Sequence, residues 1–403
     1  MRLMKIFGVL CLYVLMVSCS FSPKEKNTDR YVVVLSLDGF RSDYPEKAHT
    51  PTLDSLERVG VRADFRPCFP SVTFSNHYSM ATGLHPDQHG LINNFFYAAD
   101  LDKIYTIGNR EAVANPGFYG GEPIWNTAER QGVKAANFYW VGSETAVNGR
   151  QPSIWKPFDK NVTFRNRADS VLAWLQLPEE IRPHLLMWYI DEPDVIGHRA
   201  TPDSVATFNM VEELDSLLGY FFAEARKLDI FENIDFIVLS DHGMAIYYPE
   251  NYVNLNDYLP RDSFDYVFDG VPTLLYTKES YCETALEILQ TVPHIKAYKK
   301  EELPAKYKYG THPRISNLVV IPDIGAYVQF RATSTPRQGA THGYDNYAPE
   351  MQAIFYAAGP SFKKGVRQPA IANVNLYLLI CKLLHLTPEP NAGTEEEVGM
   401  ILN

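Results

Sequence analysis

The sequence has few cysteines and no excess of basic residues, and each of these absences excludes a class of protein. Of its five cysteines, only Cys68, Cys282 and Cys381 follow residue 19. Three cysteines at wide, irregular spacing form neither a disulfide framework nor a cysteine-type zinc site. The net charge of -11 argues against tight binding to a nucleic-acid backbone. We therefore expect a protein stabilised by its hydrophobic core, with at most one disulfide, that acts on small molecules.

The first twenty residues combine a positively charged start with an apolar run too short to span a bilayer comfortably. Residues 16–19, Met-Val-Ser-Cys, resemble a bacterial lipoprotein cleavage site, although Met16 stands where that pattern prefers Leu. We expect a signal peptide over residues 1–19, a lipid on Cys19 and a polar tether over residues 20–30. The protein would then be an exported bacterial lipoprotein, either periplasmic or attached to the outer membrane. Simple secretion and a retained transmembrane anchor are the alternatives.

Continuous β-branched and apolar runs predict strands that are buried on both faces of a parallel sheet. These strands are predicted at residues 31–37, 185–190, 236–240, 317–321 and 353–359. Helical patterns between them are predicted at residues 50–58, 74–82, 124–131 and 204–227. Alternating strands and helices indicate an α/β fold with a mostly parallel, doubly wound central sheet and helices on both faces.

The domain organisation is predicted to be simple. The chain shows no internal repeat, low-complexity tract or long linker after the tether. We expect one catalytic domain over residues 31–403. Residues 243–313 are richer in Tyr, Lys and Pro and are predicted to form a small cap or lobe.

Acidic and histidine residues fall where the predicted strands end. They are Asp38, then Asp191, Glu192 and Asp194, and then Asp241 and His242. In open α/β sheets, ligands bind outside the carboxyl ends of the strands, so these side chains are expected to meet at one edge. A single Asp-Gly or Asp-His after a strand is usually only a turn. Three strand ends with such residues make that interpretation much weaker.

Two further histidines extend this set. Asp194 and His198 are four residues apart, which lets a carboxylate and an imidazole meet one ion from a single helical turn. His342 lies in a Gly-rich stretch between two β-like segments, where Gly339 and Gly343 allow close approach of the backbone. Taken alone, the first pattern could be a surface loop and the second a plain turn.

The combined set favours zinc and exceeds what one ion needs. Its members are Asp38, Asp194, Asp241, His198, His242 and His342. A mixed oxygen and nitrogen set suits zinc better than calcium or magnesium, which prefer oxygen. Six protein ligands are too many for one tetrahedral ion with an open position, but they suit two neighbouring ions.

A hydroxyl nucleophile is available beside this edge. Ser71, Thr73 and Ser75 lie where a turn runs into a helical pattern that starts at Phe74. A helix start stabilises anions, so each of these hydroxyls qualifies by its chemistry as the nucleophile that a two-metal site needs. The alternative is that one of them is simply the N-cap, and spacing does not choose among the three.

At these residues the chain resembles the nucleotide pyrophosphatase/phosphodiesterase family of the alkaline phosphatase superfamily. The shared motifs occur in the family's order and are LSLDGFR (35–41), the block 70–94, GEPIW (121–125), DEPDVIGH (191–198), LSDHGM (239–244) and THGYDN (341–346). The resemblance covers nearly the whole chain after the tether and implies an alkaline phosphatase-like fold. Ser75 replaces the Pro that is more usual in the family.

The resemblance also implies roles for individual residues. It implies two Zn2+ ions, one bound by Asp194, His198 and His342, and the other by Asp38, Asp241, His242 and the nucleophile Thr73. Asn94 matches the family's amide donor to a phosphoryl oxygen, and the Phe74 backbone N–H is a second candidate donor. Phe74, Phe158 and Tyr189 match positions that grip a nucleobase, with a looser match at Phe158.

The implied activity is hydrolysis of phosphodiester or pyrophosphate bonds through a covalent phospho-threonine, with nucleotides as substrates and nucleoside 5'-monophosphates as products. No arginine accompanies Asn94 in the phosphate-facing motifs, and Arg41 is interpreted as structural, which favours diesters over monoesters. A phosphomonoesterase or a choline-phospholipid diesterase on the same scaffold is the alternative. A binding lipoprotein with a decayed site and a sulfatase are both disfavoured.

Overall fold

The computed structural model describes residues 30–330 and 337–403. The predicted signal peptide, Cys19 and all but the last residue of the tether lie outside these residues. The strands are β1 (Tyr31–Leu37), β2 (Val61–Arg66), β3 (Phe95–Ala98), β4 (Lys103–Thr106), β5 (Ala135–Phe138), β6 (Ile154–Lys156), β7 (Leu185–Ile190), β8 (Ile234–Leu239), β9 (Ala245–Tyr247), β10 (Tyr252–Asn254), β11 (Phe264–Phe268), β12 (Thr273–Thr277), β13 (Ile295–Lys299), β14 (Leu318–Pro322), β15 (Tyr327–Gln329), β16 (Gly339–Thr341), β17 (Ala353–Ala358) and β18 (Val366–Ala372).

The helices lie mainly between strands of the central sheet. They are α1 (Pro51–Val59), α2 (Thr73–Thr82), α3 (Pro86–His89), α4 (Arg110–Val113), α5 (Ile124–Arg130), α6 (Phe164–Leu175), α7 (Asp194–Ala200), α8 (Val205–Ala225), α9 (Glu279–Leu289), α10 (Asn375–Leu383) and α11 (Glu395–Gly399). Short 3-10 helices occur at Tyr44–Glu46, Pro116–Phe118, Phe231–Asn233, Pro249–Asn251, Leu255–Asp257, Arg261–Ser263, Lys300–Glu302, Ala305–Tyr307 and Pro349–Met351.

The central sheet has eight strands in the order β18-β2-β17-β8-β1-β7-β5-β6. β1 pairs in parallel with both β7 and β8, and β5 pairs in parallel with β6 and β7. β17 runs antiparallel to both of its neighbours, β2 and β8. The predicted α/β fold with a mostly parallel doubly wound sheet is therefore confirmed.

The two faces of β1 bury side chains in different core clusters, as expected for a central strand of a doubly wound sheet. Val32 and Val34 pack with residues of α2, α5 and α10. Val33 and Leu35 pack on the other face with residues of α1, α6 and α8. The longest of these helices, α8, begins after Ser204, whose Oγ accepts a hydrogen bond from the Thr207 N–H and caps the helix.

A second, four-stranded antiparallel sheet has the order β11-β12-β14-β13. Helix α9 packs on it, with Leu286 and Leu289 buried against Leu318 and Val320. The strand predicted at residues 317–321 lies in this sheet rather than in the central one. Its apolar run is buried in both settings, so sequence pattern does not tell them apart. The predicted lobe over residues 243–313 overlaps this sheet but ends before β14.

The state of the cysteines and the length of the helices concern the predictions of at most one disulfide and of a membrane anchor. Cys68, Cys282 and Cys381 are free thiols. None of the helices in residues 30–330 and 337–403 is both long and apolar enough to cross a bilayer.

Candidate metal centre and active site

The predicted acidic and histidine residues meet at the carboxyl edge of the central sheet. Asp38 directly follows β1, Asp194 begins α7 after β7, and Asp241 with His242 follows β8. β8, β1 and β7 are adjacent in the sheet, so their ends deliver these residues to one place. The Asp194 N–H donates to the Asp38 carbonyl at 2.9 Å, which ties two of these strand ends together.

Gly39 allows this close approach. Its φ is +67°, in the left-handed region that favours glycine. A Cβ at this position would lie 2.8 Å from the Cβ of Asp194. The Gly39 N–H also donates to Oδ1 of Asp241 at 3.1 Å. The Asp-Gly after the first strand is therefore part of the site and not only a turn.

His342 reaches the site through a small antiparallel pair. It follows β16, which pairs with β9 just after the turn that carries Asp241 and His242. The ring of His342 stacks on the ring of His242, with centroids 3.7 Å apart. All six predicted metal ligands are therefore brought together.

The first group of ligand atoms consists of Asp194, His198 and His342. Oδ1 of Asp194 lies 3.4 Å from Nε2 of His198 and 3.6 Å from Nε2 of His342. The Nδ1 atoms of the two histidines contact the carbonyl oxygens of Ala340 and Ser71, each at 2.9 Å. A carbonyl oxygen only accepts, so both Nδ1 atoms carry a proton and both Nε2 atoms are directed at the carboxylate.

The second group surrounds His242. Its Nε2 lies 3.1 Å from Oδ2 of Asp241, 3.5 Å from Oδ1 of Asp38 and 3.1 Å from Oγ1 of Thr73. Its Nδ1 donates to the Gly243 carbonyl at 2.9 Å, so Nε2 is again the nitrogen directed at the carboxylates. Asp38 and His242 also form a close ligand group with Asp194, which places the two groups side by side.

The separations and the unsatisfied atoms both fit metal ions. Two ligand atoms about 2.1 Å from a tetrahedral zinc lie about 3.4 Å apart, close to the distances in both groups. Oδ1 of Asp38, Oδ1 of Asp194 and Oδ2 of Asp241 are buried and have no hydrogen-bond partner within residues 30–330 and 337–403. Buried carboxylate oxygens without partners are costly, and cations at these positions would satisfy them.

The pKa values of the clustered carboxyl and imidazole groups are also shifted by their burial and by each other. Burial and the neighbouring Asp241 and Asp194 carboxylates raise the pKa of Asp38 well above its usual range. Burial likewise raises the pKa of Asp194. Burial would also raise the pKa of Asp241, but His242 and His77 hold it below its usual range. Burial lowers the pKa of His342 well below its usual range, which keeps the imidazole neutral, as metal ligation requires.

The three candidate hydroxyls have different surroundings. Thr73 is the first residue of α2 and follows Val72, which is extended and makes no side-chain cap. Oγ1 of Thr73 faces His242. The Ser71 hydroxyl donates to the Tyr344 carbonyl at 2.9 Å, and the Ser75 hydroxyl is buried without a partner among the described residues. Only Thr73 of the three lines the cavity that also contains ligands of the first group.

Asn94 and Phe74 are joined by a hydrogen bond. The Phe74 N–H donates to Oδ1 of Asn94 at 3.0 Å. The backbone N–H that sequence motifs offered as a second phosphoryl donor therefore already has an acceptor. The amide nitrogen of Asn94 is the donor that remains at this position, beside Thr73 in the wall of the cavity.

The cavity has a volume of about 360 Å³. It is lined by Val72, Thr73, Asn93, Asn94, Phe95, Ile107, Asp194, His198, Phe268, Asp269, Gly270, Val271, Pro272, Tyr327, Thr341 and His342. Sequence patterns did not identify the wall from residue 268 to 272, which connects β11 to β12 of the second sheet. A larger groove of about 720 Å³ beside His85 and Lys300 contains none of the clustered ligands.

The three predicted base-contacting rings have separate neighbours. Phe74 is half-buried and meets the edge of Tyr105, with ring centroids 6.3 Å apart. Phe158 is 39% exposed and its ring centroid lies 5.1 Å from that of Tyr139. The hydroxyl of Tyr189 donates to Oδ2 of Asp38 at 2.5 Å. Tyr189 therefore contacts a candidate metal ligand, a contact that its motif did not indicate.

Two buried side chains near the site have other roles. Nδ1 of His77 lies 2.9 Å from the Thr73 carbonyl and 3.3 Å from Oδ2 of Asp241, a support that sequence reasoning missed although His77 lies in the Thr73 motif. Arg41 binds Asp43, Asp203 and the Met244 carbonyl. This arrangement agrees with the interpretation of Arg41 as structural.

Comparisons with known proteins point to one family. The sequence model described as type I phosphodiesterase / nucleotide pyrophosphatase matches residues 32–345. Ectonucleotide pyrophosphatase/phosphodiesterase family member 3 of Bos taurus is 33% identical over 384 residues, covering 92% of this chain and 44% of the relative. This chain thus spans less than half the length of that relative. An uncharacterized pyrophosphatase/phosphodiesterase of Schizosaccharomyces pombe is 33% identical over 413 residues, covering 98% of this chain and 85% of the relative.

Solved structures agree with this similarity. An inactive variant of murine ectonucleotide pyrophosphatase/phosphodiesterase 5 in complex with AMP superposes with a TM-score of 0.88 at 29% identity. The superposition covers 93% of this chain and 100% of the murine chain. The human counterpart superposes with a TM-score of 0.89 over the same shares.

Proposed function

The chain belongs to the type I phosphodiesterase / nucleotide pyrophosphatase family, and from this premise we propose that it is a two-zinc hydrolase of phosphodiester or pyrophosphate bonds. Its substrates are nucleotides, its products are nucleoside 5'-monophosphates, and the reaction passes through a covalent phospho-threonine at Thr73. One observation carries the proposal. Oγ1 of Thr73 lies 3.1 Å from Nε2 of His242, at the junction of two ligand groups with three unsatisfied carboxylate oxygens.

The donor sets fit two zinc ions. Asp194, His198 and His342 would hold one ion, and Asp38, Asp241 and His242 would hold the other, with Thr73 as a further ligand. Zinc bound at these groups would supply Lewis acidity that lowers the hydroxyl pKa of Thr73 and stabilises negative charge on the reacting oxygens.

Thr73 performs the covalent step. Its oxygen gives up its proton to solvent and forms a bond to phosphorus, while the bond to the leaving alcohol or phosphate breaks and the leaving oxygen takes up a proton from solvent. Water then hydrolyses the phospho-threonine ester, which releases the monophosphate and restores the hydroxyl. The first turn of α2 places Thr73 at the positive end of a helix, which favours an anionic group there.

Asn94 binds the phosphoryl group. Its Oδ1 is held by the Phe74 N–H at 3.0 Å, so the amide nitrogen is left to donate to a non-bridging oxygen. A donor fixed before the substrate arrives stabilises charge that builds up during attack without reorganisation.

The charge of the cavity wall favours diesters over monoesters. A monoester dianion calls for a bidentate arginine or a further cation. Neither lysine nor arginine occurs among the described residues that line the cavity. Arg41, the nearest candidate in sequence, is engaged by Asp43 and Asp203. A monoanionic diester therefore matches the site better than a dianionic monoester.

A choline-phosphate diester is the second candidate substrate. Asp269 lines the cavity with the aromatic residues Phe268 and Tyr327. Oδ1 of Asp269 accepts a hydrogen bond from the Phe330 N–H at 2.8 Å. An acidic group beside aromatic rings suits a quaternary ammonium, whereas the AMP complex of the murine relative supports a nucleotide.

A substrate panel on the purified, metal-quantified protein tests the function. We expect p-nitrophenyl thymidine 5'-phosphate to be hydrolysed faster than p-nitrophenyl phosphate, and dinucleotides and nucleoside triphosphates to yield nucleoside 5'-monophosphates. Faster turnover of p-nitrophenyl phosphate would contradict the diesterase proposal. Faster turnover of glycerophosphocholine than of every nucleotide would support the second candidate instead.

We further propose that the protein is exported and anchored through a lipid on Cys19. The support is the cleavage-site pattern at residues 16–19, together with relatives named ectonucleotide enzymes and venom phosphodiesterases. Membrane fractionation with mass spectrometry of the N-terminal peptide tests the anchor. A soluble Cys19→Ser protein beside a membrane-bound, lipid-modified wild type is the expected result, and an unmodified Cys19 would contradict it.

A further inference from the structure

Arg167 is a buried arginine that contacts the loop leading to Asp194. Its side chain is 1% exposed, and it lies on α6, which packs beside β7 and β5. Nη1 of Arg167 donates to Oδ1 of Asp191 at 2.8 Å and to the Tyr189 carbonyl at 3.1 Å. The Asp191 carbonyl in turn accepts from the Val195 N–H in the first turn of α7. One guanidinium therefore fixes the chain just before the Asp194 and His198 ligands.

The same guanidinium packs over the ring of Tyr139. The Arg167 Cζ lies 5.0 Å from the ring centroid of Tyr139, within the range of cation–π contacts. Tyr139 directly follows β5 and has a φ of +69°, a conformation that is uncommon for a residue other than glycine. Such a backbone persists where the surroundings hold it, and Arg167 is one of those surroundings.

Tyr139 in turn contacts Phe158. The two rings meet edge to face, with centroids 5.1 Å apart. The Phe158 N–H is separately fixed by Oε1 of Glu144 at 3.1 Å. The ring of Phe158 thus packs against Tyr139, whose own ring packs against the Arg167 guanidinium. The Phe158 backbone is held separately by Glu144.

We propose that Arg167 is a positioning residue that places Phe158 through Tyr139 and holds the Asp194 loop through Asp191. This inference rests on the proposed function, since it takes Phe158 as a contact for the base of the substrate. The two roles use different properties of the side chain. The flat guanidinium face supports the Tyr139 ring, and the positive charge pairs with Asp191. Lysine retains the charge but has no flat face.

Arg167→Lys separates the two roles when two diesters are compared. p-Nitrophenyl thymidine 5'-phosphate carries a base that would contact Phe158 under the proposed function, whereas methyl p-nitrophenyl phosphate carries no base. We expect Arg167→Lys to raise KM for the thymidine ester roughly tenfold with kcat within about threefold, and to leave both parameters for the methyl ester within about threefold. Tyr139→Ala should raise the same KM. Adding Arg167→Lys to Tyr139→Ala should raise KM little further, because both substitutions remove the same support of the Phe158 ring.

Asp191→Asn tests the other role. It removes the charge pair but leaves the guanidinium over Tyr139. We expect kcat/KM to fall by a similar factor for both esters, together with loss of bound zinc, because the Asp194 loop is loosened. Arg182→Lys is the matched control, since Arg182 also lies over a tyrosine ring, that of Tyr31, and donates to the Leu177 carbonyl and the Tyr31 hydroxyl. Arg182→Lys should leave kcat and KM for both esters unchanged.

The outcomes distinguish this inference from the proposed function. AMP affinity is measured alongside, in Thr73→Ala and in Thr73→Ala with Arg167→Lys, and roughly tenfold weaker binding is expected in the double variant. If Arg167→Lys weakens turnover of both esters equally, or leaves KM and AMP affinity unchanged in a wild type that uses nucleotides, the inference alone is wrong. If the wild type neither hydrolyses the thymidine ester nor binds AMP, both proposals are wrong.

Discussion

The phenol hydroxyl of Tyr189 donates a 2.5 Å hydrogen bond to Oδ2 of Asp38. The other oxygen of this carboxylate, Oδ1, is buried, has no hydrogen-bond partner in the described part of the chain and lies 3.5 Å from Nε2 of His242. Tyr189 therefore fixes the carboxylate so that its unsatisfied oxygen faces the other ligands. The family resemblance implies a role for the Tyr189 ring in binding a base, and the hydroxyl provides a distinct contribution that can be measured separately.

Tyr189→Phe is expected to weaken metal binding and to leave base binding intact. The variant keeps the ring but removes the hydrogen bond that orients Asp38. Loss of such an outer partner typically lowers metal affinity by about 10- to 100-fold. Zinc affinity is measured by competition with a chelator, and KM for p-nitrophenyl thymidine 5'-phosphate is measured at saturating zinc, where it should stay within about threefold of wild type.

Tyr220→Phe is the control for this substitution. Tyr220 also donates to an aspartate, Oδ1 of Asp169, at 2.6 Å, but this pair is exposed and lies outside the site. The zinc affinity of the Tyr220→Phe variant should equal that of the wild type. Unchanged zinc affinity in Tyr189→Phe would show that the Asp38 contact does not support the metal.

The sequence was sufficient to predict that the ligands meet because four of them follow the ends of parallel strands and a fifth, His198, lies one helical turn after Asp194. Such ends share one edge of a sheet whatever the loop details, so Asp38, Asp194 and Asp241 converge. His342 arrives through the β16–β9 pair instead, and only its Gly-rich context marked it. The strands at residues 31–37 and 185–190 have the predicted bounds, since continuous apolar runs mark a buried parallel strand well.

Side-chain contacts between distant segments were not predictable in the same way. The strand at residues 318–322 belongs to the second sheet, although its apolar pattern equals that of a central strand. The Phe74 N–H looked available for a phosphoryl oxygen until the fold brought Asn94 against it. Arg167 lies in a helix without any motif, and only the packing of α6 on the strand ends reveals its contacts. Each case depends on which segments pack together, which local pattern does not specify.

Substitutions of Asn94 are expected to rank by charge. Asn94→Asp keeps an oxygen that accepts from the Phe74 N–H but replaces the amide donor with a negative charge near the phosphoryl group. Asn94→Ala removes both. If the donor acts on the phosphoryl oxygen, kcat/KM falls by about 10²- to 10³-fold in the Ala variant and further in the Asp variant. Steady-state kinetics with matched zinc content gives the ranking. A more active Asp variant would mean that Asn94 serves mainly to hold Phe74.

Thr73→Ala is expected to lower turnover by at least about 10³-fold, because the oxygen that bonds to phosphorus is absent. AMP should still bind, since Asn94 and the ligand groups, which the proposed function assigns to its phosphate, are unchanged. Ser75→Ala is the matched control. Ser75 is two residues away, and its hydroxyl is buried without a partner, so its removal costs no hydrogen bond. Kinetics and mass spectrometry of the acid-quenched enzyme test the pair. Detection of the same phosphorylated peptide in the acid-quenched Thr73→Ala variant would rule out Thr73 as the nucleophile.

His89 is expected to make the fold sensitive to acid. It is fully buried, and its Nδ1 accepts from the Leu91 N–H at 3.2 Å, so Nε2 carries the proton and contacts the Ser79 hydroxyl at 2.9 Å. Burial, with smaller effects of His85 and His312, lowers the pKa of His89 to about 3. The unfolded chain binds a proton here below about pH 6.5, whereas the folded chain does not until about pH 3. Stability is therefore lost as pH falls through this window, by about 1.4 kcal/mol per pH unit.

His89→Asn isolates this contribution because its Oδ1 can accept from the Leu91 N–H but does not titrate. The variant should be less stable than wild type at pH 7.5, since it leaves a cavity in the core. Its free energy of unfolding should then fall less steeply on acidification, and between pH 6.5 and pH 5 the two proteins should converge by about 2 kcal/mol. Urea unfolding of chelator-treated samples measures this without changes in bound metal. His49→Asn, at an exposed histidine, should follow the wild-type slope. Equal slopes for wild type and His89→Asn would contradict a neutral buried His89.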